Sequence, residues 1–83
     1  MGNTANMNEK IKKGKYRHFK GDIYNVIGIG HHSETLEELV IYQGLYDSKE
    51  WGKNPLWIRP LSLFTDYKVI DGKKVKRFVK IKD

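Results

Sequence analysis

Eighty-three residues without a cysteine leave room for one small domain and exclude both a disulfide framework and a thiolate metal site. The net charge of +6 is unevenly spread: residues 1–22 carry six bases against two acids, residues 66–83 seven against three, and residues 23–65 three against five. The basic excess therefore sits at the two ends, where a solvated surface accounts for most of it before any polyanion partner is invoked.

The apolar runs are too short to cross a bilayer, and no secretory pattern opens the chain. Met1-Gly2 is followed by Asn6, where a myristoylation pattern wants Ser or Thr. The expectation is a soluble, cytoplasmic chain with no membrane partner.

Residues 1–13 have few apolar side chains and no sustained period, which predicts a disordered N-terminal tail ahead of a single domain over residues 14–83. Tyr16-Arg17-His18-Phe19 alternates weakly, and Lys20-Gly21-Asp22 supplies a turn. Ile23 to Gly30 and Leu39 to Tyr46 are rich in the Ile, Val and Tyr that strands prefer. If these two runs pair antiparallel with positions summing to 70, Tyr24 faces Tyr46, Val26 faces Gly44, Gly28 faces Tyr42 and Gly30 faces Val40. Each glycine then leaves room for a large neighbour, and Gly28 and Gly44 permit sharp bending.

Between the runs, Ser33 to Glu38 reads as a polar loop, with Thr35 and Glu38 spaced like a capping box. Asp47 to Pro55 is a second loop, polar except for Trp51. Leu56 to Arg59 forms a short strand ended by Pro60, and Ser62-Leu63-Phe64 suits one helical turn. Tyr67 to Ile70 and Val75 to Ile81 flank Asp71-Gly72, a strong signal for a primed hairpin turn. Five or six short antiparallel strands with tight turns and no long amphipathic helix predict an all-β domain, a small closed or half-closed barrel.

The words Tyr16-Arg17-His18-Phe19-Lys20-Gly21, Tyr24, Val26, His32-Ser33-Glu34-Thr35, Glu38, Val40, Tyr42-Gln43 and Leu45-Tyr46 stand in order, followed by Trp57-Ile58-Arg59-Pro60, Phe64 and Arg77-Phe78. From Tyr16 onward the chain resembles the uncharacterised bacterial family called domain of unknown function 1653. The resemblance implies an SH3-like β-barrel and brings no established activity. The loop Asp47 to Pro55 looks longer than the family's usual short turn.

His31-His32-Ser33-Glu34 concentrates chemistry in few residues, with His18 as a distant third imidazole. Zinc wants rigidly held N, S or O ligands, and neighbouring histidines on a strand point to opposite faces, so the spacing argues against a metal. A loop in which polar side chains satisfy nearby amides is the simpler reading. His32, Ser33 and Glu34 also include triad residue types, but consecutive residues rarely reach triad geometry and no nucleophile elbow surrounds Ser33. No catalytic residue, metal ligand or cofactor is therefore assigned.

Tyr16, Tyr24, Tyr42, Tyr46 and Trp57 supply aromatic surface, and Arg59 a forked cation. Tyr24, Val26, Val40 and Trp57 are expected to be mainly structural. His32, Glu34, Tyr42, Gln43 and Arg59 are expected as the exposed, ligand-facing set. The function that follows is a non-catalytic binding module. Nucleic acid or another anionic ligand is the first partner class, by stacking and Arg59 pairing. A protein or peptide is the alternative, because Glu34, Glu37 and Glu38 would favour a basic motif.

Overall fold

The computed structural model describes residues 11–82, so the part of the expected tail before Ile11 lies outside the described residues. Strands run over Gly14–His18 (β1), Ile23–His31 (β2), Glu38–Gly44 (β3), Asp47–Ser48 (β4), Gly52–Lys53 (β5) and Leu56–Pro60 (β6). One helical turn, Leu61–Phe64 (α1), precedes Tyr67–Ile70 (β7), Lys73–Lys76 (β8) and Phe78–Lys80 (β9). The expected all-β class and single helical turn are present.

A five-stranded antiparallel sheet in the order β6-β3-β2-β1-β9 forms the body, with β4–β5 and β7–β8 as separate two-stranded ribbons. Alternation places Tyr16 and His18 of β1, Tyr24 and Val26 of β2, Val40 and Tyr42 of β3, Trp57 and Arg59 of β6, and Phe78 of β9 on one inner face. Val26, Val40 and Phe64 are almost wholly buried, and Tyr16, Tyr42, Phe78 and Ile11 complete the core. Ile11 stands in the stretch read as tail, yet it is part of the core, and the Lys12 carbonyl accepts the Tyr16 hydroxyl at 2.8 Å.

The sheet is not closed into a barrel: β6 and β9 are its two edges and share no ladder. The chain between them is taken up by α1 and the β7–β8 ribbon, and β9 is only three residues long. Side chains close the gap instead. Phe64 of α1 stacks on Phe78 of β9 with centroids 4.0 Å apart and planes 5° from parallel, and both rings meet Tyr42 edge-on.

The β2–β3 register also departs from the expected one. Tyr24 pairs with Gly44 and Val26 with Tyr42; then a bulge at Ile27 shifts the ladder, so that Gly28 meets Ile41 and Gly30 meets Leu39. Gly44 serves the ring beside it rather than one across from it. A Cβ there would lie 2.5 Å from the ring of Tyr46, which folds back over this position.

Asp71 and Gly72 both have positive φ, 52° and 78°, as the primed turn of the β7–β8 hairpin requires. The strand expected over Val75 to Ile81 breaks at Arg77, whose amide donates to the Asp66 carbonyl while its own carbonyl accepts from Phe19. The loop from Asp47 contains the β4–β5 ribbon, tightened by the Ser48 hydroxyl, which accepts from the amides of Glu50 and Trp51.

Phe64→Ala is expected to cost about 3–5 kcal/mol, because a buried ring and its stacking partner are lost together. The neighbouring, exposed Leu63→Ala should stay within about 0.5 kcal/mol. Urea denaturation of both variants checks the contrast.

Candidate functional site

The sequence-selected residues divide between three places. His32 and Glu34 lie in the exposed β2–β3 connection. There the His32 ring is a backbone cap: its Nδ1 accepts from the amides of Glu34 at 3.1 Å and Thr35 at 3.3 Å. The Thr35 hydroxyl in turn accepts from the Glu37 amide, and the His32 carbonyl accepts from Leu36, which sits at φ 64°. The cluster thus holds a turn of backbone together, with the His32 imidazole and the Thr35 hydroxyl satisfying nearby amides.

Gln43 lies on the opposite face of β3 from Tyr42, and its Nε2 donates to the Asn54 carbonyl at 3.1 Å. Tyr42 and Arg59 do come together. Tyr42 is buried, 5% exposed, rather than the exposed residue expected, because the Val26–Tyr42 pairing turns its ring into the aromatic core. Its hydroxyl reaches the rim and accepts from Arg59 Nε at 3.3 Å. Among the described residues, no hydrogen bond joins the 32–37 loop to Tyr42 or Arg59, and no group of three or more His, Cys, Asp and Glu side chains gathers as a metal site.

Around Tyr42 and Arg59 the inner face carries a connected set of rings. Tyr24 meets Tyr42 at 5.3 Å and Tyr46 at 5.6 Å, both edge-on. Trp57 Nε1 donates to the Tyr46 hydroxyl at 3.1 Å, and that hydroxyl donates to Tyr24 at 3.4 Å. Burial above all pushes the Tyr24 phenol well above its ordinary range. Trp51 from the β4–β5 ribbon packs edge-on against Trp57 at 6.4 Å and is itself exposed.

Two arginines border these rings, and they are treated differently. Arg77 forms a bidentate pair with Asp66, Nε to Oδ1 at 2.6 Å and Nη2 to Oδ2 at 3.1 Å. This hydrogen bond and the Arg77 charge hold the Asp66 carboxyl below its usual range. Arg59 lies 5.8 Å over the Phe78 ring with its Nε on Tyr42, and its other N–H groups donate to no carboxylate among the described residues.

His18 completes the site, edge-on to Phe78 at 4.9 Å. Its Nδ1 accepts from the Lys20 amide at 3.1 Å, a bond that needs this nitrogen unprotonated. Burial, followed by the charges of Arg77, Arg59 and Lys20, depresses its pKa, with only Asp22 opposing.

Sequence reasoning did not single out Asp66, Arg77 or His18 for this rim. The Asp66–Arg77 pair had a findable signal. The Asp71-Gly72 turn sets Tyr67 opposite Lys76, and one step further along the same register stand Asp66 and Arg77. The gathering of His18 and Arg59 depends on the order of all five strands and had no local signal.

The folded domain keeps His18 unprotonated where the unfolded chain, titrating near 6.5, takes up a proton. The unfolded state then binds more protons, so stability falls as pH drops from about 6.5 toward the depressed folded value and is fully present above that window. His18→Gln should flatten this part of the profile. Urea midpoints measured between about pH 7 and 5 check it.

The solved structure of a protein belonging to the same unknown-function class, from Bordetella bronchiseptica, superposes with a TM-score of 0.77 at 29% identity, over 88% of this chain and 90% of that one. No curated protein matches. The profile of the family described as "Protein of unknown function (DUF1653)" matches residues 14–80, which take in every strand named above, and the chain belongs to that family.

Proposed function

We propose that this domain is a non-catalytic binding module for an anionic ligand, with single-stranded nucleic acid as the partner class. The observation that carries the reading is Arg59. A half-buried guanidinium, held by a tyrosine hydroxyl against an aromatic ring, has N–H groups to spare and no hydrogen-bonded carboxylate among the described residues. Such a group is costly to leave partly desolvated and is well suited to a phosphate oxygen.

The surroundings agree with that use. Arg77, although paired, adds to the positive field, as does Lys20, and both reach His18. Trp57 shares the inner face of β6 with the cation, and exposed Trp51 packs edge-on against it; an unpaired base can stack on such rings whatever its identity. In this reading His32 and Glu34 shape the neighbouring loop, and ligand contact falls to Arg59, Trp57 and the rim of Tyr42.

Amide NMR titration with mixed short RNA and single-stranded DNA tests this. Saturable shifts are expected at Tyr42, Trp57 and Arg59, surviving moderate salt. Arg59→Gln should weaken binding about tenfold or more and lower the salt slope by about one phosphate. Shifts confined to lysines near the chain ends, vanishing with salt, would sink the reading.

A further inference from the structure

The two edges of the main sheet are protected unequally. At β9 the strand is three residues long, ends in Lys80 and is flanked by Lys76 and Lys82, and short, lysine-bearing edges resist strand addition. At β6 the segment Leu56-Trp57-Ile58-Arg59-Pro60 has no lysine, pairs among the described residues only with β3, and exposes Leu56 at 60% and Ile58 at 63%. Ile41 lies directly across from Ile58, so the apolar surface continues from the edge into the sheet.

The direction of the free backbone groups follows from the ladder. The Gly44 amide donates to the Pro55 carbonyl, and in an antiparallel pair hydrogen-bonded positions recur at every second residue. Tyr42–Trp57 and Val40–Arg59 are therefore the hydrogen-bonded pairs of β3 and β6. The N–H and C=O groups of Leu56 and Ile58 point away from the sheet, together with the Pro60 carbonyl. Proline at position 60 thus removes a donor only on the outward side, as edge strands tolerate.

We infer that β6 is a self-pairing edge, and that two copies of this chain associate through antiparallel β6 strands into one continuous sheet. Centring the two-fold axis on Ile58 makes the two Ile58 residues exchange hydrogen bonds. The Leu56 amide of each copy then reaches the Pro60 carbonyl of the other, so every outward N–H of Leu56 and Ile58 finds an acceptor. The same register sets Arg59 opposite Trp57 of the other copy, which keeps like charges apart and offers the guanidinium an aromatic face. Ile58 side chains meet on the outer face, the isologous contact that a two-fold axis requires. An interface this narrow implies a reversible dimer, with a dissociation constant of about 1 μM to 1 mM.

Sedimentation of the full chain across that concentration range, with amide hydrogen exchange at both ends of it, tests the inference. The expected result is a mass that rises toward twice the monomer's, with the Leu56 and Ile58 amides gaining protection as it does. Ile58→Lys places a charge at the axis. Ile58→Pro removes the outward donor and spares the β3 ladder. Each should raise the dissociation constant at least about tenfold, while Val79→Lys on the other edge leaves it unchanged. Because Ile58 is mostly exposed, both variants should keep the wild-type thermal midpoint when dilute; should the proline variant fail to fold, the lysine variant and the amide protection decide. A monomer throughout, including one that takes up an added foreign strand, would overturn the inference. So would a dimer indifferent to both Ile58 variants.

Discussion

Everything in this domain depends on how an open sheet covers its own inner face. A closed barrel would do so with a continuous ladder, but here the last strand of the sheet is three residues long and does not reach the first edge. The parallel stack of Phe64 on Phe78 takes the ladder's place, at 4.0 Å between centroids. One ring comes from the turn after β6 and the other from the opposite edge strand, so the stack joins the two margins of the sheet through side chains. In a chain with so small a core, such a contact contributes out of proportion to its area.

The tyrosines extend the same cluster outward and change its character on the way. Tyr16 and Tyr42 are buried with their rings edge-on to Phe64, while their hydroxyls reach polar partners, the Lys12 backbone and Arg59. Tyr24 and Tyr46 stand further out and link through hydroxyls to Trp57. The inner face therefore grades from hydrocarbon to hydroxyl to cation without a buried side-chain polar atom left unpaired among the described residues. The rim is positioned by the core, since the ring that fills the centre is the one whose hydroxyl aims Arg59.

Most of the strands, though not their order in the sheet, were legible in sequence because strand composition and turn chemistry are local. Asp71-Gly72 named its hairpin, and the Ile, Val and Tyr content of β2 and β3 named both strands. The β2–β3 register was not legible, since a bulge at Ile27 leaves no compositional mark and moves every later pair by one residue. The expected partner of Tyr42, Gly28, is two residues from the observed Val26, which leaves Tyr42 on the same face; its polarity suggested exposure, and the rings gathered on that face bury it. Closure was equally hidden. The sequence shows strands, but whether the edge strands meet depends on β9 being cut short when Arg77 leaves the ribbon for Asp66 and Phe19. Of the residues selected by type, Tyr42 and Arg59 come together on the inner face, the His32 ring caps the amides of Glu34 and Thr35 in its own loop, and His18 joins the rim only in three dimensions.

The contrast between the two arginines connects the site to the fold. Arg77 sits where the chain must leave one ribbon and enter the main sheet, and its fork on Asp66 secures that crossing. Its charge is spent structurally. Arg59 lies on a strand already held by β3, so its guanidinium is not needed to fasten the backbone, and a hydroxyl is enough to aim it. A carboxylate in Tyr42's place would neutralise it; a phenol orients it and leaves the charge available. The same strand presents its outward N–H groups on one side and this cation on the inner face. Pairing at the β6 edge would therefore bring two such cations to one continuous surface, and a partner long enough to touch both would gain by effective concentration what a single arginine cannot supply.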